Sequence, residues 1–409
     1  MTYQKVREAI YTPLRDEGIF TWDLMYGSEY ALAAIHSISQ GDKTELAYAT
    51  EQLGGIFAKT ATAIQRMDMP IFRELGIPEV VINASRIHVL GAPTLIGRFD
   101  FARTKRGWKM LEFNSDTPGG IVEAFYVNGQ VCAYYGKEDP NRGMNIGIKR
   151  AFAEITERYQ VLGYPTARVV FSALDWHSED AGTTRYLLQQ SGLNADFVPL
   201  KDLHVYQDKL CALCDGDFRP IDLLYRLHPL GMLGEDVDTD GFPTGEYVLR
   251  LVERRKLGLI NPAAAIISQT KSLQALIWNL HVIDDFFTSE EQEIIAAYML
   301  PTYYENVFLG QADYVAKPIL GREGGNVQLY HADGELLEEE QEGWFSKQMV
   351  VYQQMVDLEL ITVPVAGGLY SGRLLWGSFI INGKASAIMA RVGGRITNDM
   401  SYFLPVGME

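Results

Sequence analysis

Apolar residues recur every three or four positions through Leu46, Ala49, Leu53, Ile56, Phe57, Ala61 and Ile64, which predicts a helix with one buried face. The first 70 residues as a whole read as helical. A two-residue alternation then takes over: Arg98, Phe99, Asp100, Phe101, and after the turn residues Thr104 to Gly107, Leu111, Glu112, Phe113, Asn114. This is a β-hairpin pattern. In an unbulged antiparallel pair, facing residues have a constant index sum, and Asp100 with Glu112 shares its sum with Arg98 and Asn114. One face therefore carries Arg, Asp, Glu and Asn as two direct cross-strand pairs. The loop Ser115-Asp-Thr-Pro-Gly-Gly120 follows, and Ile148, Phe152, Ile155 and Tyr159 mark another helix.

Beyond it, 167–173 reads as a buried strand, 182–190 as a helix and 195–200 as a second strand, an α/β unit. A helix is expected over 246–256. Residues 261–280 begin Asn261-Pro262 and turn helical, with Lys271 on the way. The segment 314–329 reads as strand, glycine loop, strand, and 335–342 as an acidic, solvated loop. An apolar stretch over 349–355 contains Gln353 and Gln354. Asn382-Gly383, between apolar runs 374–381 and 384–391, is the strongest short-range hairpin signal. There is no internal repeat and no low-complexity segment.

Composition adds bounds. A length of 409 residues suits two or three domains, and 47% hydrophobic with 22% charged residues is ordinary for a globular protein. The net charge of −16 argues against nucleic acid as the main partner. The opening residues lack a signal peptide's apolar core, and no apolar run approaches membrane-spanning length. Three cysteines in so long a chain suit a reducing compartment, so a cytoplasmic protein without a membrane partner is expected.

The candidate chemistry starts at the hairpin. Like charges directly opposite each other destabilise a sheet, so Asp100 and Glu112 call for a cation between them. Carboxylate plus amide oxygen is a ligand set for Mg²⁺; a solvated polar face in a chance register is the competing account. Lys317, on a strand before the glycines at 321, 324 and 325, suits the α- and β-phosphates of a nucleotide, with exposed loop amides closing over them. No Gly-Lys-Ser/Thr follows, so this is not a Walker loop, and the lack of Gly-x-Gly-x-x-Gly argues against a nicotinamide cofactor. In open α/β sheets ligands bind beyond the carboxyl ends of strands, where 175–180 lies. There Glu179 or Asp180 could hold an ammonium group or take its proton, with helix capping by Asp180 as the alternative. Cys211-x-x-Cys214 lacks the second pair a zinc site needs, and the calcium-like run from Asp236 lacks the twelfth-position Glu.

The motifs Arg98-x-Asp100, Glu112-x-Asn114-x-Asp116-Thr117, Lys317-Pro-x-x-x-Arg322-Glu323-Gly-x-Asn326-Val327, Gln353-Gln354 and Ile396-Thr397-x-Asp399-x-Ser401 together resemble the synthetase domain of glutathionylspermidine synthase and its stand-alone relatives, ATP-grasp carbon–nitrogen ligases. The resemblance runs in order from about Trp22 to the C-terminus. It implies an α/β (α+β) fold: an ATP-grasp core with an inserted open α/β, preATP-grasp-like domain and a permuted motif order. The division expected is 1–118 with 345–409 as the metal-binding half, 119–260 as the substrate domain and 261–344 as the ATP lid. It further implies Asp100, Glu112 and Asn114 as ligands of Mg²⁺ (two ions), and Arg98 as the catalytic, transition-state arginine. Lys271, Lys317, Glu323, Gln353, Gln354 and Arg391 would contact ATP, and Asp116, Thr117, Glu179 and Asp180 the substrates. Three departures stand out: no accompanying amidase domain, so no hydrolytic activity is expected; Val392 where the family has Glu after Arg391; and Val406 after Pro405 in place of His. Val392 is expected near nucleotide and substrate.

The reaction implied joins a peptide or amino-acid carboxylate to an amine, polyamines included. ATP would phosphorylate the carboxylate and the amine would displace phosphate. A nucleotide-binding regulator without turnover and a small-molecule kinase are the competing readings.

Overall fold

The helix Gln40–Gln65 is the support on which the hairpin lies. Its buried face includes all seven residues of the predicted stripe, and its Ser39 N-cap accepts from the Asp42 amide at 3.1 Å. The face packs on a sheet built around Gly368–Ile381. That strand pairs antiparallel with Ile96–Thr104 on one side and with Lys384–Gly393 on the other. Gly107–Asn114 and Tyr402–Leu404 extend the two edges, and Glu359–Val365 pairs with the central strand. Phe57 from the helix meets Phe99 and Phe113 edge-on, and these two stack at 3.8 Å. Gly54 lets the helix approach: a Cβ there would lie 2.3 Å from Ile380 Cδ1. Burying Phe99, Phe101 and Phe113 in this way forces the intervening residues to the opposite face.

The computed structural model describes every residue except Met1, Asp215, Asp284, 341–344 and Ser346. It is a mixed α/β molecule with several sheets. A five-stranded antiparallel sheet runs Thr302–Tyr303, Val350–Gln354, Tyr314–Pro318, Gln328–Tyr330, Leu336–Glu339. A parallel sheet runs Gly258–Ile260, Leu223–Arg226, Val169–Ser172, Ala195–Phe197, with helices Ile146–Val161 and Ser178–Ser191 in its α/β unit. A smaller antiparallel sheet, Leu203–Tyr206, Lys209–Cys214, Asp217–Pro220, carries both Cys211 and Cys214 on one strand. No helix among the described residues is long and apolar enough to cross a membrane.

Several expectations need correction. The first 70 residues are not helical throughout: between Tyr3–Asp16 and Gln40–Gln65 lie short strands, Leu24–Met25, Ser28–Glu29 and His36–Ile38. Gly18 and Gly27, at φ of +71° and +78°, turn the chain there. The acidic run is not simply a loop, because Leu336–Glu339 is an edge strand; its end, 341–342, lies outside the described residues. Val350–Gln354 is hydrogen-bonded to Tyr314–Pro318, so the boundary expected at 344/345 separates strands of one sheet. The Asn382-Gly383 turn is as expected, with both residues at positive φ.

Candidate active site

The hairpin register brings the four polar residues together. Arg98 faces Asn114 and Asp100 faces Glu112, then the ladder shifts by one residue, so that Phe101 faces Met110. Leu111 is the extra residue of this bulge. Its carbonyl is free to accept from Lys317 Nζ at 3.2 Å and from Gln353 Nε2 at 3.3 Å, both on the five-stranded sheet. The irregularity thus ties the hairpin to the neighbouring sheet beside the polar face.

On that face Arg98 grips Asp100 in a two-point pair, Nε to Oδ1 at 2.6 Å and Nη2 to Oδ2 at 2.9 Å. Asn114 Nδ2 donates to the same Oδ2 at 3.2 Å. Arg98 also donates to the Gly119 carbonyl at 2.6 Å. Burial opposes its charge, but Asp100 and Glu112 outweigh that and raise its pKa. Glu112 Oε2 lies 3.2 Å from Lys271 Nζ, the first residue of helix Lys271–Ile283, and that ammonium also donates to Gly321 O at 2.9 Å. Burial pushes the Glu112 carboxyl up, but Lys271 and Lys317 overcome it and hold it at about 2. Lys317 donates to Gln353 Oε1 at 2.7 Å. Burial brings it down to about 8 against the pull of Glu112.

These side chains border a cleft between the hairpin face and the five-stranded sheet. Its lining combines charged groups, Asp100, Glu112, Lys271 and Lys317, with apolar ones, Val315, Leu329, Met355 and Leu375. A lining of a few charged groups among apolar side chains suits a nucleotide. The donor chemistry of Asp100, Glu112 and Asn114 fits Mg²⁺, a hard cation that takes one or two carboxylates and completes its shell with phosphate and water. Among the described residues no group of three His, Cys, Asp or Glu side chains could hold a metal. The cations nearest the two carboxylates are side chains, Arg98 for Asp100 and Lys271 for Glu112.

A second cleft is bordered by Thr117, Gly119, His177, Glu179, Asp180, Arg322 and Glu323. Glu323 therefore lies on this side rather than in the first cleft, where it was expected. Arg322 Nη2 donates to Thr117 Oγ1 at 2.8 Å, which joins the glycine loop to the loop after the hairpin. Burial first, then Glu123 and Asp180, push Glu179 up to about 8. The helix is capped by His177 rather than Asp180: its Nδ1 accepts from the Asp180 amide at 3.3 Å.

Three more residues differ from expectation. Gln353 is buried and spends its amide on Lys317, Leu111 and Thr302, so its side chain orients the lysine, while Gln354 borders the first cleft beside Met355. Asp116 is used internally, one oxygen 2.5 Å from Arg226 Nη2 and the other accepting from the Leu230 amide at 2.8 Å. Arg391 donates to Asn398 O and bears electrostatically on Glu123 and Glu179 rather than bordering the first cleft. Val392, next along the strand, points the other way into the apolar core.

The scaffold of the 115–120 loop was missed at the sequence level. Asn261 Oδ1 accepts from Ile96 N at 2.9 Å, and its Nδ2 donates to Ile96 O and Asp116 O, both at 2.8 Å. Gln269 Oε1 accepts from the amides of Ser115 and Asp116. The signal was Asn261-Pro262 directly after a strand, whose amide had no assigned partner.

Comparisons with known proteins show what the chain is similar to. A putative acid–amine ligase of Haemophilus influenzae is 26% identical over 326 residues, 76% of this chain and 74% of that protein. The glutathionylspermidine synthase of Crithidia fasciculata is 22% identical over 281 residues, 62% of this chain and 37% of its own length. The bifunctional glutathionylspermidine synthetase/amidase of Escherichia coli is 23% identical over 380 residues, 84% of this chain and 56% of its own length. The fold matches that of a glutathione synthetase-like effector from Globodera pallida in its apo form, with a TM-score of 0.62, 12% identity and coverage of 100% of this chain and 97% of that one. The family model for the glutathionylspermidine synthase preATP-grasp region matches residues 1–409, and the chain belongs to that family.

Proposed function

We propose that this chain is an ATP-dependent, ADP-forming carbon–nitrogen ligase of the ATP-grasp type, which activates a peptide or amino-acid carboxylate as an acyl phosphate and passes it to an amine. The observation that carries this reading is the convergence of Lys271 and Lys317 with Asp100 and Glu112 on one cleft. A second, acidic cleft opens beside the same glycine loop and suits an ammonium group. The three free thiols agree with a reducing, cytoplasmic setting.

In this reading the apolar side chains of the first cleft take adenine, and Gln354 borders that cleft. Lys317 and Lys271 hold the triphosphate as point charges. Asp100, Glu112 and Asn114 would hold Mg²⁺, which supplies charge neutralisation on the phosphates when bound. Arg98, fixed by Asp100, points its remaining nitrogen along the Gly119 carbonyl toward the second cleft, where charge builds up as the phosphoryl group moves to the substrate carboxylate. Phosphoryl transfer needs positioning and charge compensation more than a protein nucleophile. Thr117, Arg322 and Glu323 line the second cleft, and the Arg322–Thr117 bond holds the glycine loop against the loop after the hairpin. Glu179 and Asp180 receive the amine.

A screen of paired acids and amines for ADP release, with products weighed by mass spectrometry, tests the proposal. ADP release that needs both partners supports a ligase. Release with the acid alone points to a kinase, and nucleotide binding with no release to a regulator. Glu112→Gln should abolish Mg²⁺-dependent turnover; a wild-type rate in that variant removes the metal assignment.

A further inference from the structure

Behind the second cleft lies a carboxylate that the steps above do not use. Glu123 is fully buried. Its Oε1 accepts from Trp22 Nε1 at 2.8 Å and from the Tyr30 hydroxyl at 3.2 Å, while its Oε2 has no hydrogen-bond partner. A buried carboxylate oxygen left without a donor is costly and calls for a reason.

The packing links this group to the cleft. The Trp22 ring lies against Gly182, on the helix that carries Glu179, so closely that a Cβ at 182 would sit 2.2 Å from a ring carbon. On the far side, a Cβ on Gly119 would come within 3.2 Å of Glu179 Oε1, and the Gly119 carbonyl accepts from Arg98. Glu179 is thus linked through Trp22 and its own helix to a buried second carboxylate, and through Gly119 to the arginine expected at the reacting centre. Both carboxylates bear on the Tyr30 hydroxyl, and Glu123 bears on Glu179 directly.

We propose that Glu123 is a positioning residue for amide formation, acting through Glu179 to make that carboxylate the base that takes the proton of the incoming ammonium group. This rests on the ligase reading. The ammonium N–H bond breaks and its proton goes to a Glu179 oxygen, leaving a neutral amine. The amine lone pair attacks the acyl-phosphate carbonyl carbon, the C–N bond forms, and the C–O bond breaks with its electron pair leaving on phosphate. One of the two protons left on nitrogen then passes to the departing phosphate, and the other stays on the amide.

An ordinary carboxylate is too weak a base for this, and a base works best with a pKa near the working pH. Burial, then Glu123 and Asp180, raise Glu179; His177 and Arg391 oppose them. Tyr30 is buried beside the pair and stays protonated, and Arg322 and Glu323 face it across the cleft. Burial raises Glu123 too, against the donors on Trp22 and Tyr30.

The test uses Glu123→Gln, which keeps an acceptor for Trp22 and Tyr30. With the acid and amine selected by the ADP screen, the acid limb of kcat/KM against pH should move down by about one unit and the plateau fall about tenfold, because Glu179 loses its like-charged neighbour. Hydroxamate formation with hydroxylamine, a nucleophile already neutral at neutral pH, should keep its wild-type rate. A merely structural role would lower both rates and leave the limb in place, and that outcome overturns the proposal. If the variant does not fold, Tyr30→Phe removes one donor to Glu123, favours its neutral form and should move the limb the same way by less; an unmoved limb is equally fatal. In the ligand-free chain the Trp22 emission, isolated by difference from Trp22→Phe, should titrate near neutral pH and lose that step in Glu179→Gln. Retention of the step means the carboxylates are not linked. A wild-type chain that forms no hydroxamate with any acid fails the ligase reading instead, and the fluorescence titration still judges the pair.

Discussion

Lys317 is an ammonium group with a carboxamide oxygen and a bulge carbonyl for partners, and burial lowers it to about 8. A triphosphate beside it would favour the charged form, so binding should take up a proton. Nucleotide affinity is then highest below pH 8 and declines as the pH rises through that value and the free chain loses the charge. A charge-assisted contact is worth about 2 kcal/mol, so Lys317→Met should weaken ATP roughly thirty-fold and flatten the pH dependence. Calorimetry in buffers of different ionisation enthalpy checks both, and an unchanged proton uptake in the variant would move the assignment to another group. The neighbouring departure from the family's pattern has a plainer account. Arg391 and Val392 are consecutive strand residues, so they face opposite ways, and Val392 is core. Its position in a motif suggested proximity to substrate, but strand alternation, legible in the same residues, already separates the two side chains.

At the level of elements, the hairpin was legible to the residue because burial of Phe99 and Phe113 leaves only one register for Arg98, Asp100, Glu112 and Asn114. The bulge at Leu111 was not legible. It follows from tertiary demands, the lysine and the glutamine that need a carbonyl, and no local pattern announces these. The same reason hid the roles of Gln353 and Asp116, whose polar side chains are used inside the protein. The helix stripe over 46–64 was legible because it faces a single sheet; the residues at 17–39 were not, since their short strands pair with one another or with the distant C-terminus. Asn261 is the clearest case of an element joint. It binds the start of the hairpin and the loop after it to the end of the parallel sheet, through the buried backbone groups of Ile96, Ser115 and Asp116. Each such group left unpaired costs about 1–3 kcal/mol, so Asn261→Ala should lower stability by about 3 kcal/mol in urea unfolding, with an unchanged m-value. Asn261→Asp, which keeps the acceptor for Ile96 N and loses the donors, should be no better tolerated. A loss under about 0.5 kcal/mol would mean that the loop finds other partners.

For the whole molecule, the arrangement of the clefts sets how binding in one affects the other. The glycine loop borders both: Gly321 and Gly324 lie along the first cleft, and Arg322 and Glu323 along the acidic one. Gly321 is tied to Lys271 through its carbonyl, and Arg322 to Thr117 through the threonine hydroxyl. Glu323 and Gly324, at φ of +53° and +74°, turn the loop in left-handed conformation directly after these ties. A nucleotide that pulls on Lys271 and Lys317 would therefore act on the same short segment that borders the second cleft, where the proposed substrates meet. Coupling of this kind is reciprocal: if ATP tightens the acid by some factor, the acid tightens ATP by the same factor. A factor of about tenfold is ordinary for such a link. Arg322→Ala cuts the tie to Thr117 without touching the residues around the phosphates, so ATP binding in the absence of acid should stay as in wild type while the mutual tightening falls toward one. Binding of a non-hydrolysable ATP analogue, measured with and without saturating acid in both proteins, gives the four constants needed. Equal coupling in the two would place the connection elsewhere, with Arg98 and its bond to Gly119 as the remaining bridge between the clefts.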